Sequence, residues 1–210
     1  MDFRDSPEEA AFRDRLRGWL TEQKGRFPTS GDAYWAKAGE WHQALYAAGF
    51  FGTSWPKEYG GLGLPPVYDV IVDEEIAKAG APARPSLGYL VVGFGAHASE
   101  DIRSRFLPGM IDGTERWCQG FSEPGAGSDL ASPTTTATRC DDDPDTFVID
   151  GHKIWTSYSD CADWCLVLAR TDRDVPKHKG ISAFIVSMHQ PGIVQRPLKM
   201  ISGVTREFGQ

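Results

Sequence analysis

The apolar positions of this chain follow two regimes. Up to about residue 114 they recur every three to four residues; beyond it they alternate or form short runs. In the first regime Phe12, Leu16, Trp19 and Leu20 share one helical face. Ser6 is placed to cap that helix, Pro7 suits its first position, and Glu9 completes a capping box. A second helix is predicted from about Asp32 to Ala48, with Trp35, Ala38, Trp41 and Leu45 on its apolar side and Gly49 at its end. Trp55-Pro56 and Gly60-Gly61-Leu62-Gly63 form a rigid, turn-rich connection. A third helix runs from about Pro66 to Ala79, closed by Gly80, and its Asp73, Glu74 and Glu75 require solvent or a partner. Leu87 to Gly95 reads as a closely packed helix. Ser99 caps a last one, which Pro108 is expected to interrupt.

The second regime is built of strands. Thr134–Thr138 is β-prone, and Phe147-Val148-Ile149 precedes Asp150-Gly151, a hairpin signal with His152–Ser157 as the returning strand. Trp164–Ala169, Ile181–Val186 and Ile193–Arg196 read as further strands. The acidic stretch Asp141–Asp145, around Pro144, lacks the spacing of a calcium loop and reads as a solvated connection. The stretch from Leu198 to Gln210, with Arg206-Glu207-Phe208, ends without a cap or polar tail, which would leave strand edges unpaired, as expected of an incomplete chain. The fold class is therefore α+β in two domains: an all-helical one over 1–114 and a mainly antiparallel, barrel-like one over 115–210.

Composition narrows the function classes. The 210 residues carry a formal net charge of -7, which argues against a nucleic-acid binder and against docking on an anionic membrane. No apolar run spans a bilayer, and the polar start Met1-Asp2-Phe3-Arg4-Asp5 is no signal peptide, so a cytoplasmic protein without stable membrane insertion is expected. Cys118, Cys140, Cys161 and Cys165 fit neither a disulfide framework nor zinc spacing and read as free thiols. His97, His152 and His178 have no partner pattern, and Arg139 and Arg170 read as structural.

Chemistry concentrates in Gln119-Gly120-Phe121-Ser122-Glu123-Pro124-Gly125-Ala126-Gly127-Ser128-Asp129. A hydroxyl at a strand end precedes a glycine-rich turn, a second hydroxyl and a carboxylate. Such a turn exposes backbone N–H groups and lets a ligand approach the main chain. The glycine spacing is neither a dinucleotide fingerprint nor a P-loop. Spacing alone leaves two readings open: a cofactor or anion turn, or a tight turn in which Asp129 caps backbone groups.

The stretch resembles the signature of the acyl-CoA dehydrogenases, in which Ser or Thr and then Glu-Pro-Gly-Ala-Gly-Ser-Asp follow a strand. Asp150-Gly151-His152-Lys153-Ile154-Trp155-Thr156-Ser157 is similar to that family's Gly-x-Lys-x-Trp-Ile-Thr-Asn segment. Ala162-Asp163 and Leu166–Thr171 continue the likeness, and Pro56–Gly63 is a weaker third match.

The resemblance implies FAD as cofactor and an acyl-CoA thioester as substrate, within lipid metabolism such as fatty acid or steroid side-chain degradation. The reaction it implies is α,β-dehydrogenation to a trans-2-enoyl-CoA, with electrons passed to an electron-transfer flavoprotein. By position, Gln119, Phe121 and Ser122 meet the flavin, Trp155 lies against it, and Ser157, ahead of Thr156, places a hydroxyl near its N5. Ser128 and Gly127 receive the thioester arm. Glu123 matches a structural position and not the base. The family's base is a Glu of a later four-helix domain, which is absent from these residues; no catalytic residue is therefore assigned, and the 210 residues alone are expected to be inactive. The implied assembly is a homo- or hetero-oligomer, a tetramer in the intact protein. The alternatives are a non-catalytic partner subunit of a heteromeric acyl-CoA dehydrogenase, or an acyl-CoA oxidase or flavin monooxygenase relative.

Overall fold

A computed structural model describes residues 4–143, 145–201, 203 and 207–210. Met1–Phe3 of the polar start, Pro144 of the acidic connection and Arg206 lie outside the described residues. The chain divides after Glu115 into a helical unit and a sheet unit.

The helical unit contains α1 (Pro7–Glu22), α2 (Gly31–Ala47), a 3₁₀ turn (Lys57–Tyr59), α3 (Val67–Ala79), α4 (Gly88–His97) and α5 (Glu100–Asp112). The capping box of α1 forms as its sequence dictates. The Glu9 N–H donates to Ser6 Oγ at 3.2 Å and the Ser6 N–H to the Glu9 carboxylate at 2.7 Å. Phe12, Leu16 and Leu20 are buried, and Trp19 stacks on Trp41 with centroids 5.5 Å apart. Pro108 does not interrupt α5. The helix runs on to Asp112 because Leu107, Met110 and Ile111 around the proline are buried, and this packing outweighs one forfeited N–H bond.

Of Asp73, Glu74 and Glu75 on α3, Glu75 does not face solvent. It is buried and accepts from Arg13 at 2.8 Å and Arg17 at 2.7 Å, both on α1, and from Lys78 at 2.9 Å. The Arg17 bond is the largest influence on its carboxyl; with Lys78 and Arg13 it outweighs burial and holds the group at about 2. Glu75 therefore cross-links α1 and α3.

The sheet unit contains β1 (Trp117–Gly120), β2 (Thr136–Arg139), β3 (Phe147–Asp150), β4 (Thr156–Ser157), β5 (Trp164–Arg170), β6 (Ile181–Ser187) and β7 (Phe208–Gly209). β5 is the hub. Along one edge it takes β1, parallel, with Cys118 opposite Cys165, and then β2 at Arg170; along the other it takes β6, antiparallel. β3 closes antiparallel on β2, and β4 pairs with β7 apart from the main sheet.

Three expectations are corrected. The sheet is mixed and open, not a mainly antiparallel barrel. Closure needs the outermost strands to pair, whereas β3 and β6 meet no further strand among the described residues. Asp150-Gly151 is not a hairpin turn either, since β3 pairs with the preceding β2 and Thr156–Ser157 with distant β7. Gly151 has no positive φ; it is required because a Cβ there would overlap the Thr135 side chain and come within 2.6 Å of the Thr135 Cα. Ile193–Arg196 forms no strand, although Arg196 exchanges both backbone bonds with Gln210 at 2.8 and 2.9 Å.

Buried Cys118, Ala162 and Cys165 pack with Val167 and Met188 into a small core. The four cysteines are free thiols, and the bond to neighbouring Cys165, together with burial, raises the Cys118 thiol. Among the described residues no cluster of side chains suits a metal ion. No described helix is long and apolar enough to cross a membrane.

Candidate functional site

The site is assembled where the chain leaves β1. Gln119 is half-buried on β1, and Phe121 and Ser122 continue beyond it. The chain then reverses over Glu123-Pro124-Gly125-Ala126, with Glu123 and Ala126 exchanging backbone bonds at 3.0 and 3.1 Å. This brings Glu123 inward, where its carboxylate is buried. One oxygen accepts from the Thr134 N–H at 2.7 Å and the Thr134 hydroxyl at 2.6 Å. The other accepts from the Thr135 N–H at 3.0 Å and from Lys153 Nζ at 2.8 Å. Burial pushes the Glu123 carboxyl up, but the Lys153, Thr134 and Thr135 bonds together prevail and hold it well below the usual carboxylate range. An anion so engaged is a structural pin and not a proton acceptor.

Lys153 carries the connection onward. Its Nζ also donates to the Phe121 carbonyl at 3.3 Å, and the Ile154 N–H donates to the Ser122 carbonyl at 2.9 Å. The 153–157 segment is thereby laid beside Phe121 and Ser122. Trp155 adopts a left-handed backbone, φ 59°, and is 53% exposed. An aromatic residue in that conformation costs roughly 1–2 kcal/mol and persists only where its surroundings determine it. Thr156 and Ser157 then face opposite ways, as the pleat requires. Thr156 is buried and lines a cavity of about 550 Å³, together with Gly120, Lys153 and Val167. Ser157 is half-buried and does not line that cavity.

The N–H groups of Phe121 and Ser122 and the hydroxyls of Ser122 and Ser157 take no hydrogen-bond partner among the described residues. Donors beside an exposed indole suit a flat heteroaromatic ring rich in acceptors. Gly127 and Ser128 are exposed on the following loop, and an added Cβ at Gly125 or Gly127 would meet nothing within 4 Å. That surface is open to a ligand. Among the described residues Asp129 caps no backbone group with its carboxylate. It accepts from the Ser132 hydroxyl at 2.7 Å and from Lys177 at 2.8 Å on each oxygen, and the Lys177 bond is the first cause of its lowered pKa. Arg170 has a structural task as well, donating to the carbonyls of Ala131 and Lys177.

Two contributors escaped the sequence reading. Lys153 had a signal, being part of the matched segment, but its acceptor lies 30 residues back on Glu123. Phe208 had none: its ring meets the Trp155 indole edge-on at 6.0 Å and 83°, across the β4–β7 pair.

A helical unit is followed by a sheet whose first strand opens into this pinned glycine turn, and comparison assigns that architecture to a family. The acyl-CoA dehydrogenase N-terminal domain profile matches residues 6–114, and the profile of the middle domain matches residues 118–207. The chain belongs to the acyl-CoA dehydrogenase family. It is 41% identical to acyl-CoA dehydrogenase IpdE1 of Mycobacterium tuberculosis over 95% of this chain and 54% of that protein. Among solved structures it resembles one from the ChsE4-ChsE5 complex of Mycobacterium tuberculosis, with TM-score 0.83 and 32% identity over 100% of this chain and 54% of that one. A structure of the Tcur3481-Tcur3483 steroid ACAD gives TM-score 0.82 and 33% identity over 100% of this chain and 55% of that one. The chain spans about half the length of the curated relatives it matches first.

Proposed function

We propose that this chain is a subunit of a heteromeric, FAD-dependent acyl-CoA dehydrogenase and contributes the flavin-facing half of an active site. One observation carries the reading. The site offers unpartnered donors beside an exposed, left-handed Trp155, yet the carboxylate at its centre, Glu123, is buried and fully engaged. These residues thus offer what a flavin ring needs, while the engaged Glu123 is unsuited to α-proton abstraction. The similarity to solved structures named for pairs of proteins, ChsE4-ChsE5 and Tcur3481-Tcur3483, supports the heteromeric form over a self-sufficient enzyme.

In this reading the Phe121 and Ser122 N–H groups and the Ser122 hydroxyl donate to ring acceptors. Gln119 borders them on the same strand, and the Trp155 indole covers the ring. Ser157, facing away from buried Thr156, supplies the hydroxyl at the reacting edge. Gly127 and Ser128 admit the thioester and pantetheine arm of an acyl-CoA. Bound FAD would supply the two-electron acceptor for α,β-dehydrogenation to a trans-2-enoyl-CoA, and the protein would supply position and electrostatics. The base that removes the α-proton must lie within hydrogen-bond reach of it and is contributed by another part of the assembled enzyme. An electron-transfer flavoprotein is the acceptor this chemistry calls for. The steroid named for the Tcur3481-Tcur3483 relative makes a steroid-type acyl group the first substrate class to examine.

The test is purification of the 210-residue chain alone and, separately, of the tagged chain with whatever co-assembles, followed by flavin absorbance, native mass spectrometry and an acyl-CoA panel with an artificial electron acceptor. The proposal expects negligible turnover from the chain alone and a flavin-bearing, active complex with a second acyl-CoA dehydrogenase chain. Stoichiometric flavin and acceptor reduction by the chain alone would overturn it. Acyl-CoA-dependent oxygen consumption would favour an oxidase or monooxygenase instead.

A further inference from the structure

The Trp155 indole has no wall of its own. Its backbone is left-handed at φ 59°, and three residues on, Tyr158 is left-handed at φ 63°. Between them Thr156 and Ser157 are extended and pair with Gly209 and Phe208. The Tyr158 N–H donates to the Glu207 carbonyl at 3.3 Å. The segment is therefore a short arch with a left-handed residue at each foot. One foot is tied to the turn through Ile154 and Lys153, and the other is tied to β7.

Two non-Gly residues held in this conformation so close together need external determination. β7 provides it from some fifty residues further along the chain. Its approach is close: a Cβ at Gly209 would overlap Ser159 Oγ and come within 2.7 Å of the Gln195 amide nitrogen, so a larger residue there would have to displace both side chains. Once seated, β7 presents Phe208 edge-on to the indole at 6.0 Å and 83°, the preferred geometry for an aromatic pair. With that contact made, Trp155 remains 53% exposed.

We infer that Phe208 is a positioning residue: its ring, delivered by β7, sets the orientation in which Trp155 presents its indole to a ligand. The inference deepens the proposed function and rests on it only where that ligand is flavin. The orientation itself is a property of the chain without cofactor. A leucine at 208 would fill space without the edge-to-face contact, whereas tyrosine would keep the contact.

The experiment compares Phe208→Leu, Phe208→Tyr and Phe208→Ala in the full chain, with Trp155→Phe as reference. The readout is the near-ultraviolet circular dichroism assigned to Trp155 by subtracting the Trp155→Phe spectrum, alongside FAD affinity and far-ultraviolet circular dichroism. Phe208→Leu should lose at least half of the Trp155 signal with the far-ultraviolet spectrum unchanged, and Phe208→Tyr should keep it. FAD affinity should fall several-fold in Phe208→Leu and Trp155→Phe but not in Phe208→Tyr. Should Phe208→Ala fail to fold, the Leu and Tyr variants decide. An undiminished Trp155 signal in Phe208→Leu, or equal loss in Phe208→Tyr, overturns the inference. Loss of the signal with FAD affinity unchanged in every variant leaves the positioning intact and removes the flavin reading instead.

Discussion

Lys153→Met tests the pin beneath the turn. In the intact site the Glu123 carboxylate accepts four bonds, three from Thr134 and Thr135 and one from Lys153 at 2.8 Å. Methionine keeps most of the aliphatic stem of Lys153 but deletes the facing cation. Removing one partner of a buried pair costs about 3–5 kcal/mol, because the remaining charge is left without compensation. The three surviving bonds place this case at the lower end, about 3 kcal/mol, or roughly a hundredfold in an opening equilibrium. The pH dependence has a definite sign. The folded-state pKa of Glu123 is depressed, so its contribution is present above the unfolded value and lost as pH falls through the folded one. Without Lys153 the carboxyl loses a bond that lowers its pKa and protonates at higher pH than in the parent, so the deficit of the variant shrinks as pH falls from 7 toward 4. Native-state hydrogen exchange by mass spectrometry on peptides covering 116–123 and 164–170 measures both quantities. Glu123→Gln combined with Lys153→Met should recover at least about 1 kcal/mol relative to the single variant, since no buried charge remains. A single variant within about 0.5 kcal/mol of the parent, or a deficit equal at both pH values, would refute the reasoning.

Further expectations follow from neighbouring features. Trp155→Asn places a residue that tolerates a left-handed backbone at φ 59°, so the thermal midpoint of the sheet unit should not fall while FAD affinity drops at least tenfold by titration. Gly151→Ala should destabilise the sheet unit by about 2 kcal/mol or more in urea, because its Cβ collides with Thr135. Gly127→Ala, open within 4 Å, should leave stability unchanged and raise the KM for acyl-CoA in the assembled enzyme. His42 is buried, donates its Nε2–H to the Ile111 carbonyl at 3.0 Å, and is pushed by burial down to about 4. Its unfolded form therefore binds a proton first, so the helical unit should lose about 3 kcal/mol as pH falls from 6.5 to 4, and His42→Gln should flatten that slope.

Much of the helical unit is legible in the sequence. The ends of α1, α2 and α3 lie where Ser6, Gly49 and Gly80 mark them, because caps are bonds within three or four residues. Pro108 misleads for a non-local reason: the burial of its neighbours outweighs a local rule. In the sheet unit the apolar runs locate β5 and β6 but not their partners, since a period of two specifies a face and not a neighbour. Hence the expected barrel, and the hairpin read from Asp150-Gly151, where the glycine answers to Thr135 and not to a turn.

The sequence by itself determined the family, through the runs Ser122–Asp129 and Gly151–Ser157, and the order of helices before strands. Those signals are contiguous, so no folding is needed to read them. Only the tertiary structure decided that β5 is the hub of an open mixed sheet, and that Glu123 is a pinned anion. It also decided that Trp155 stands left-handed and exposed against Phe208. Each of these depends on contacts between residues 30 to 53 positions apart, whose loop-closure entropy is met by burial and pairing that no local pattern encodes.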